Sequence, residues 1–232
     1  YWAIPDEGLE FIALGSALHF GTQERRNRFD SVREGLRNLR FDVVGEPGPD
    51  LSAGILVGGF SFSDREIERH PDWKVFGGGE LVLPEIFIVR CHGSTWITHV
   101  DNAELPDLSP SLEHPLGHVS SVDHRNDKAY LKLVARALEE IHNGNMDKVV
   151  TARSLSLPAN LNSAALLERL KVRHPSCATF AIARGDQVFL GSSPETLIKM
   201  TGSQVQTAAL AGSRPRHEHP GADARLRLSL IH

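Results

Sequence analysis

Three short stretches of the chain combine residue types that acid–base chemistry requires. The first, residues 147–153 (DKVVTAR), surrounds Lys148 with apolar side chains. On a strand, alternate side chains share a face, so Lys148 is expected beside Val150 and Ala152. Burial there disfavours the charged ammonium, and a neutral amine can take a proton from water. Lys148 is therefore a candidate general base, although a lysine at a strand end that reaches solvent is the plainer interpretation.

The second stretch, residues 191–195 (GSSPE), ends in Glu195. It follows a predicted strand, and Pro194 restricts the backbone that carries the carboxyl group. A carboxyl group held on a rigid element is suited to serve as the acid partner of a base. The same Ser-Pro-Glu run is also typical of a helix start, where a glutamate in the first turn is favourable.

The third stretch, residues 207–216 (TAALAGSRPR), is rich in small residues. Small residues would let a ligand approach the backbone amides of this stretch, and its two arginines, Arg214 and Arg216, can neutralise a carboxylate. An ordinary strand followed by a basic loop explains the same residues equally well. The next residues, 217–219 (HEH), are interpreted as a solvated loop and not as a metal site.

Hydrophobic periodicity predicts the elements that must position these stretches. Helices are expected at 22–39 with Thr22 as N-cap, at 123–142 with Asp123 as N-cap, and at 163–172. Residues 101–122, which contain several prolines, are expected to form a long surface connection. The predicted strands, including a hairpin around Gly185 and Asp186, are 9–14, 53–62, 80–91, 94–100, 148–157, 177–184, 187–192 and 205–211.

Composition limits the classes of function. The chain has 232 residues, a formal net charge of -4 and 41% hydrophobic residues, close to ordinary globular averages. It has no basic excess that would favour nucleic acid or an anionic membrane surface. Two cysteines, no signal-like opening and no apolar run of membrane length favour a cytoplasmic protein with a small-molecule substrate. The missing initiator Met and the apolar last residues lead us to expect a fragment that is cut at both ends, with the family's C-terminal part missing.

In this order, residues 147–153, 189–195 (FLGSSPE) and 207–216 closely resemble the chorismate-binding enzymes. That family includes isochorismate, salicylate, anthranilate and aminodeoxychorismate synthases. In the N-terminal half, several short runs are similar to isochorismate synthases. They are Tyr1-Trp2, Pro5-Asp6, Gly8, 58–60 (GGF), 73–77 (WKVFG) and 81–85 (LVLPE).

The resemblance implies an α+β fold in which two antiparallel sheets pack orthogonally between outer helices, as α/β/β/α layers. It also implies that residues 1–232 form one chorismate-binding domain, incomplete at its C-terminal end. The predicted meander and helices are compatible with that architecture.

The resemblance further implies an isomerase that converts chorismate to isochorismate. Members that use water carry a lysine at the position of Lys148, whereas members that use ammonia typically do not. Ammonia is already a nucleophile, but water must lose a proton as it attacks. Lys148 is then the base that activates water for attack at C2 of chorismate, and Glu195 is the acid that protonates the departing C4 hydroxyl. Each proton transfer contributes about 10²–10⁴-fold.

For substrate binding, the resemblance implies that the backbone amides of Ala211, Gly212 and Ser213 approach a carboxylate. It also implies a Mg²⁺ cofactor that holds the ring carboxylate of chorismate. The family's metal ligands are glutamates whose equivalents lie beyond His232, so we assign no metal ligand within this sequence. Residues 1–232 alone are therefore expected to be inactive.

Two alternatives remain open at this point. A salicylate synthase also carries the lysine and then eliminates pyruvate from isochorismate, and a non-catalytic relative would keep the fold without the chemistry. Residues 1–2 and 73–85 favour the simple isomerase. The sequence leaves open whether the product serves menaquinone or siderophore biosynthesis, and it leaves the oligomeric state open.

Overall fold

A computed structural model gives the fold of most of the chain. It describes residues 1–22, 27–40, 42–45, 48, 55–62, 71–101, 103–107, 115–119, 127–207, 217 and 219–228. The chain divides into two compact units, Tyr1–Ser192 and Ser193–His232. The assignment of residues 1–232 to one domain stays a prediction.

A six-stranded sheet forms the main scaffold of the first unit. Its strands are β1 (Trp2–Ile4), β2 (Leu9–Leu14), β6 (Ile86–Cys91), β7 (Ser94–His99), β10 (Ala178–Arg184) and β11 (Gln187–Ser193), in the order β11-β10-β1-β2-β6-β7. The predicted strand at 9–14, the strand at 94–100 and the hairpin around Gly185 and Asp186 are confirmed, with ends shifted by at most one residue. Gly185 has a φ of 56°, which suits glycine in a two-residue hairpin loop.

Strand β6 contributes buried core residues to this sheet. Val89 of β6 pairs with Phe11 on one side and with Trp96 on the other. Phe87 is 2% exposed and Val89 is fully buried, and the rings of Phe11 and Phe87 lie 5.2 Å apart. These two apolar residues, two positions apart, are buried because β6 has a hydrogen-bonded neighbour on both sides.

A three-stranded antiparallel sheet of order β3-β5-β4 lies in the same unit. Its strands are β3 (Leu18–Thr22), β4 (Val57–Phe60) and β5 (Gly79–Leu83), and helix α1 (Arg28–Leu36) packs on β3 and β5. The single strand predicted over 80–91 is wrong. The chain breaks at Pro84 and Glu85, so that β5 and β6 belong to different sheets. Proline has no N–H to donate to a ladder, which explains a break at this point.

One helix prediction needs correction at its N-terminus, and the predicted start of a second is not described. Thr22 is the last residue of β3 and not an N-cap, because α1 begins at Arg28 after Asn27. Helix α2 covers Asp127–His142, and the proposed cap Asp123 lies outside the described residues. Helix α3 (Ser163–Arg173) is confirmed, and its start is explained by Asn162, whose Oδ1 accepts a hydrogen bond from the N–H of Ala165 at 2.9 Å.

Two short strands form a small antiparallel pair that was not predicted from the sequence. Strand β8 (Gly117–Val119) pairs with β9 (Ala159–Leu161). Strand β8 lies within residues 101–122, and the interpretation of that segment as a long surface connection stays a prediction. Three-residue strands give too short an alternation for periodicity to detect.

Within its described residues, the second unit contains one hairpin and one helix. Strands β12 (Lys199–Thr201) and β13 (Gln204–Gln206) pair antiparallel, and helix α4 covers Pro220–Leu228. The predicted strand at 205–211 is seen only at its start, and residues 208–211 lie outside the described residues. With antiparallel sheets and few helices, the α+β class is confirmed.

Candidate active site

Lys148 lies in an extended segment that follows α2. The strand predicted over 148–157 is wrong: residues 148–158 carry no strand, and β9 begins only at Ala159. Lys148, Val150 and Ala152 are all exposed, Val150 to 83%. A lone extended segment cannot pair its own N–H and C=O groups, so apolar residues in this run are not sufficient to make a strand. Within the described residues, Lys148 therefore shares no buried face with Val150 and Ala152.

One aromatic side chain connects this segment to α2. The hydroxyl of Tyr130 lies 3.1 Å from Oγ1 of Thr151, at hydrogen-bonding distance. The guanidinium of Arg153 lies over the ring of the same tyrosine, 5.3 Å from its centroid, within the range of a cation–π contact. Thr151 and Arg153, which follow Lys148 in the chain, are therefore tied to α2 by side chains and not by a backbone ladder.

Glu195 lies in the second unit, in the short link between β11 and β12. Its backbone N–H donates to Oγ of Ser193 at 3.3 Å, and its side chain is exposed. No helix follows Pro194, because the next element is strand β12. The interpretation of Ser-Pro-Glu as a helix start is thus wrong, and Glu195 belongs to an irregular link between two strands instead.

The remaining predicted site residues, Ala211, Gly212 and Ser213, lie outside the described residues. His217 and His219 lie just before α4. The Nδ1 of His217 accepts the N–H of His219 at 3.0 Å, and the Nδ1 of His219 accepts the N–H of Gly221 at 3.2 Å. The two imidazole rings therefore accept hydrogen bonds from backbone N–H groups near the start of α4. The first N–H groups of a helix have no partner within the helix and need one elsewhere.

A charged cluster on β2, β6 and α3, together with Tyr1 just before β1, was not predicted from the sequence. Glu10 accepts hydrogen bonds from the hydroxyl of Tyr1 at 2.6 Å and from Nζ of Lys171 at 3.0 Å, and it also pairs with Arg90. Lys171 donates at 2.8 Å to Glu168, one turn away on α3. Only this last pair has a sequence signal, the i,i+3 spacing of opposite charges on a helix.

The same cluster has unusual titration properties. Burial opposes the charged form of Glu10, but donation from Tyr1 and Lys171 outweighs it and holds the pKa of Glu10 below its ordinary value. Burial likewise opposes the ammonium of Lys171, yet acceptance by Glu168 and Glu10 raises its pKa. An open cavity of about 290 Å³ adjoins the cluster, lined by Ala3, Pro5, Gly8, Leu9, Glu10, Arg90, His92, Gly93 and Lys171. Because its charged groups pair with one another, the cluster connects the six-stranded sheet to α3.

Comparison with known proteins identifies the class to which this scaffold belongs. The chain matches the chorismate binding enzyme family over residues 1–232. It therefore belongs to the chorismate-binding enzyme family.

Several individual relatives can be compared directly. The chain is 27% identical to the isochorismate synthase MenF of Bacillus subtilis and 29% identical to the salicylate biosynthesis isochorismate synthase of Pseudomonas aeruginosa. Each alignment covers 100% of this chain, but 54% and 52% of the relative. Anthranilate synthase component 1 of Thermus thermophilus is 36% identical over 87% of this chain and 57% of the relative. The chain thus spans about half the length of the curated relatives it matches.

A solved structure supports the fold. The menaquinone-specific isochorismate synthase MenF of Escherichia coli superposes with a TM-score of 0.65 at 22% sequence identity, covering 100% of this chain and 52% of that one. The chain therefore has the fold of that structure. No helix within the described ranges is both long and apolar enough to cross a membrane.

Proposed function

We propose that the full-length protein is an isochorismate synthase, which isomerises chorismate to isochorismate with water as the nucleophile. The observation that carries the proposal is the lysine at position 148, in the run that resembles the water-using members of the family. Overall identity does not decide between water and ammonia chemistry, because an anthranilate synthase at 36% exceeds the isochorismate synthases at 27% and 29%.

In the proposed reaction, Lys148 takes a proton from water as the water oxygen bonds to C2 of chorismate. The ring double bonds shift, the bond from C4 to its hydroxyl oxygen breaks, and Glu195 donates the proton with which that hydroxyl leaves as water. Lys148 must therefore enter the step as a neutral amine and Glu195 as a neutral acid. The amides of Ala211, Gly212 and Ser213 are proposed to bind a substrate carboxylate.

Mg²⁺ is proposed as the cofactor of the full-length protein, in which it would hold the ring carboxylate of chorismate. The residues described here do not supply a site for it, since no three His, Cys, Asp or Glu side chains among them cluster in a way that could hold a metal ion. We therefore derive no step through the metal and propose that its ligands lie beyond residue 232. Residues 1–232 alone are expected neither to bind Mg²⁺ tightly nor to turn over chorismate.

The roles of the two proposed catalytic residues can be tested by substitution in the full-length protein. Lys148→Ala and Glu195→Gln should each lower kcat by about 10²–10⁴-fold, because each removes one proton transfer. Lys132→Ala, which removes an exposed lysine of α2, is the matched control and should keep the wild-type rate. Wild-type turnover by Lys148→Ala would contradict the base assignment, and a normal rate for Glu195→Gln would contradict the acid assignment.

The final product separates the proposed enzyme from a salicylate synthase. An isochorismate synthase should consume chorismate without releasing pyruvate, whereas a salicylate synthase releases one pyruvate for each salicylate. Pyruvate can be measured in the same reaction with a coupled lactate dehydrogenase assay. Stoichiometric pyruvate would replace the proposed function with salicylate synthesis, and a lack of any turnover would favour a non-catalytic relative.

A further inference from the structure

The segment that carries Lys148 is held in place in an unusual way. Residues 148–158 form no strand, so a backbone ladder does not fix their position in the described structure. The side-chain contacts of Tyr130 with Thr151 and Arg153 connect this segment to the first turns of α2. A rigid helix is thereby joined to a segment that carries a proposed catalytic group.

The connection is close to Lys148 along the chain. Thr151 is three residues away, and three residues span at most about 11 Å even when fully extended. The Cα of Lys148 therefore lies within that distance of a point fixed to α2. Tyr130 and Thr151 are both half-buried, so their hydrogen bond is partly shielded from competing water.

From this geometry we propose that Tyr130 is a positioning residue, whose hydroxyl and ring face together set the location of Lys148. The inference rests on the proposed function, in which Lys148 must reach a water molecule at C2 of chorismate. Displacement of a catalytic group by about 1 Å can cost on the order of 10²-fold in rate. Loss of one of the two contacts should therefore reduce turnover without preventing substrate binding.

An ordinary packing role for Tyr130 makes a different prediction. If only the ring matters, phenylalanine replaces tyrosine without effect, because it fills the same space and still accepts the Arg153 guanidinium on its face. If the hydroxyl positions the segment, its loss has the same consequence as loss of the hydroxyl of Thr151. The two hydroxyl deletions should then not add.

The test measures steady-state kinetics of the full-length protein with Tyr130→Phe, Thr151→Val and both changes together. Each single change should lower kcat by about 3- to 10-fold, the range expected for one hydrogen bond, with KM changed by less than about 2-fold. The double variant should be no slower than the slower single variant. Thr151→Ser, which keeps a hydroxyl, should recover most of the rate, and Lys132→Ala serves as the control in α2.

Limited digestion of the same full-length variants with trypsin, which cleaves after Lys148 and Arg153, tests the anchor without any turnover. Tyr130→Phe and Thr151→Val should each speed cleavage at these two sites by about 3- to 10-fold and leave cleavage elsewhere in the chain unchanged. Unchanged cleavage in both variants would overturn the anchor. An active wild type with unaffected kcat in the variants would overturn the positioning role, as would a Thr151→Ser variant as slow as Thr151→Val. A wild type that makes no isochorismate would instead contradict the proposed function, and the digestion would still decide whether the anchor exists.

Discussion

The six-stranded sheet and the stretch from α2 to β9 both carry apolar patterns, but only the sheet buries them. Phe87 and Val89 in β6 are 2% and 0% exposed, whereas Leu138 of α2 and Val150 are 62% and 83% exposed. In β6 the neighbouring strands β2 and β7 supply both hydrogen-bond partners and apolar contacts. None of the apolar residues at helical spacing in α2 is buried in the described structure; they are Tyr130, Leu133, Val134, Ala137, Leu138 and Ile141. A pattern of apolar residues therefore indicates which face can be buried, and the neighbours decide whether it is.

The largest effect on stability is expected from a substitution in the sheet. Phe87→Ala should lower the free energy of unfolding of the 232-residue chain by about 3–5 kcal/mol, because it removes a buried ring and leaves a cavity. Leu138→Ala, the matched change at an exposed leucine of α2, should alter the free energy of unfolding by less than about 0.5 kcal/mol. Urea denaturation of both variants measures the difference. Equal losses would show that α2 is packed as tightly as β6.

A smaller effect on stability is expected from substitutions at two neighbouring glycines of β4, which test how closely β4 and β5 pack. A Cβ at Gly58 would collide with the carbonyl oxygen of Glu80 on β5, whereas a Cβ at Gly59 would meet no atom within 4 Å. Gly58→Ala should therefore cost about 1–3 kcal/mol of unfolding free energy, as overpacking typically does. Gly59→Ala should cost less than about 0.5 kcal/mol. Thermal unfolding of the pair tests this, and a reversed order would mean that β4 is not held against β5 as described.

The smallest effect concerns pH and the link between the sheet and α3. The pKa of Glu10 is lowered from its ordinary value of 4.5, so its contribution to stability is complete above that pH and is lost as the pH falls through the lowered value. The pKa of Lys171 is raised from 10.5, so its contribution is present below pH 10.5 and is lost only as the pH rises through the raised value.

Unfolding measured from pH 2 to 8 should therefore show a loss of stability on the acidic side, which Glu10→Gln makes smaller. Glu168→Gln is the control, because it removes an exposed carboxylate from the same lysine but leaves the contacts of Glu10 in place. A Glu10→Gln variant with the acid dependence of the wild type would show that another group carries it.

The sequence predicted those parts of the molecule in which local pattern and tertiary neighbours agree. Correct predictions include strand β2, the hairpin of β10 and β11, and helix α3. In each of them, the pattern of apolar residues agrees with the neighbours that the element has in the chain or in the sheet. The segment after Lys148 was predicted as a strand because its side-chain pattern has strand character, but pairing depends on residues far away in sequence. The split between β5 and β6 was not predicted for a related reason, since Pro84 ends one ladder while the apolar run continues.

The chemistry could be predicted further than the geometry. Residue types and their order led to the family, and the comparison confirmed the family. The catalytic roles of Lys148 and Glu195 stay predictions. The contacts of Tyr130 with Thr151 and Arg153 could not be found in this way, since a tyrosine 21 residues from a threonine has no periodic relation to it. The charged cluster around Glu10 was missed for the same reason, because Lys171 is 161 residues away.

The central claim is that water, activated at Lys148, supplies the new hydroxyl group. It is tested most directly by incubating the full-length protein with chorismate and Mg²⁺ in H₂¹⁸O and analysing the product by mass spectrometry. The account predicts isochorismate with one ¹⁸O atom at C2, because the C4 hydroxyl leaves and the C2 oxygen comes from solvent. Isochorismate without label would contradict water attack, and an aminated product formed only with ammonia would contradict the assignment of Lys148.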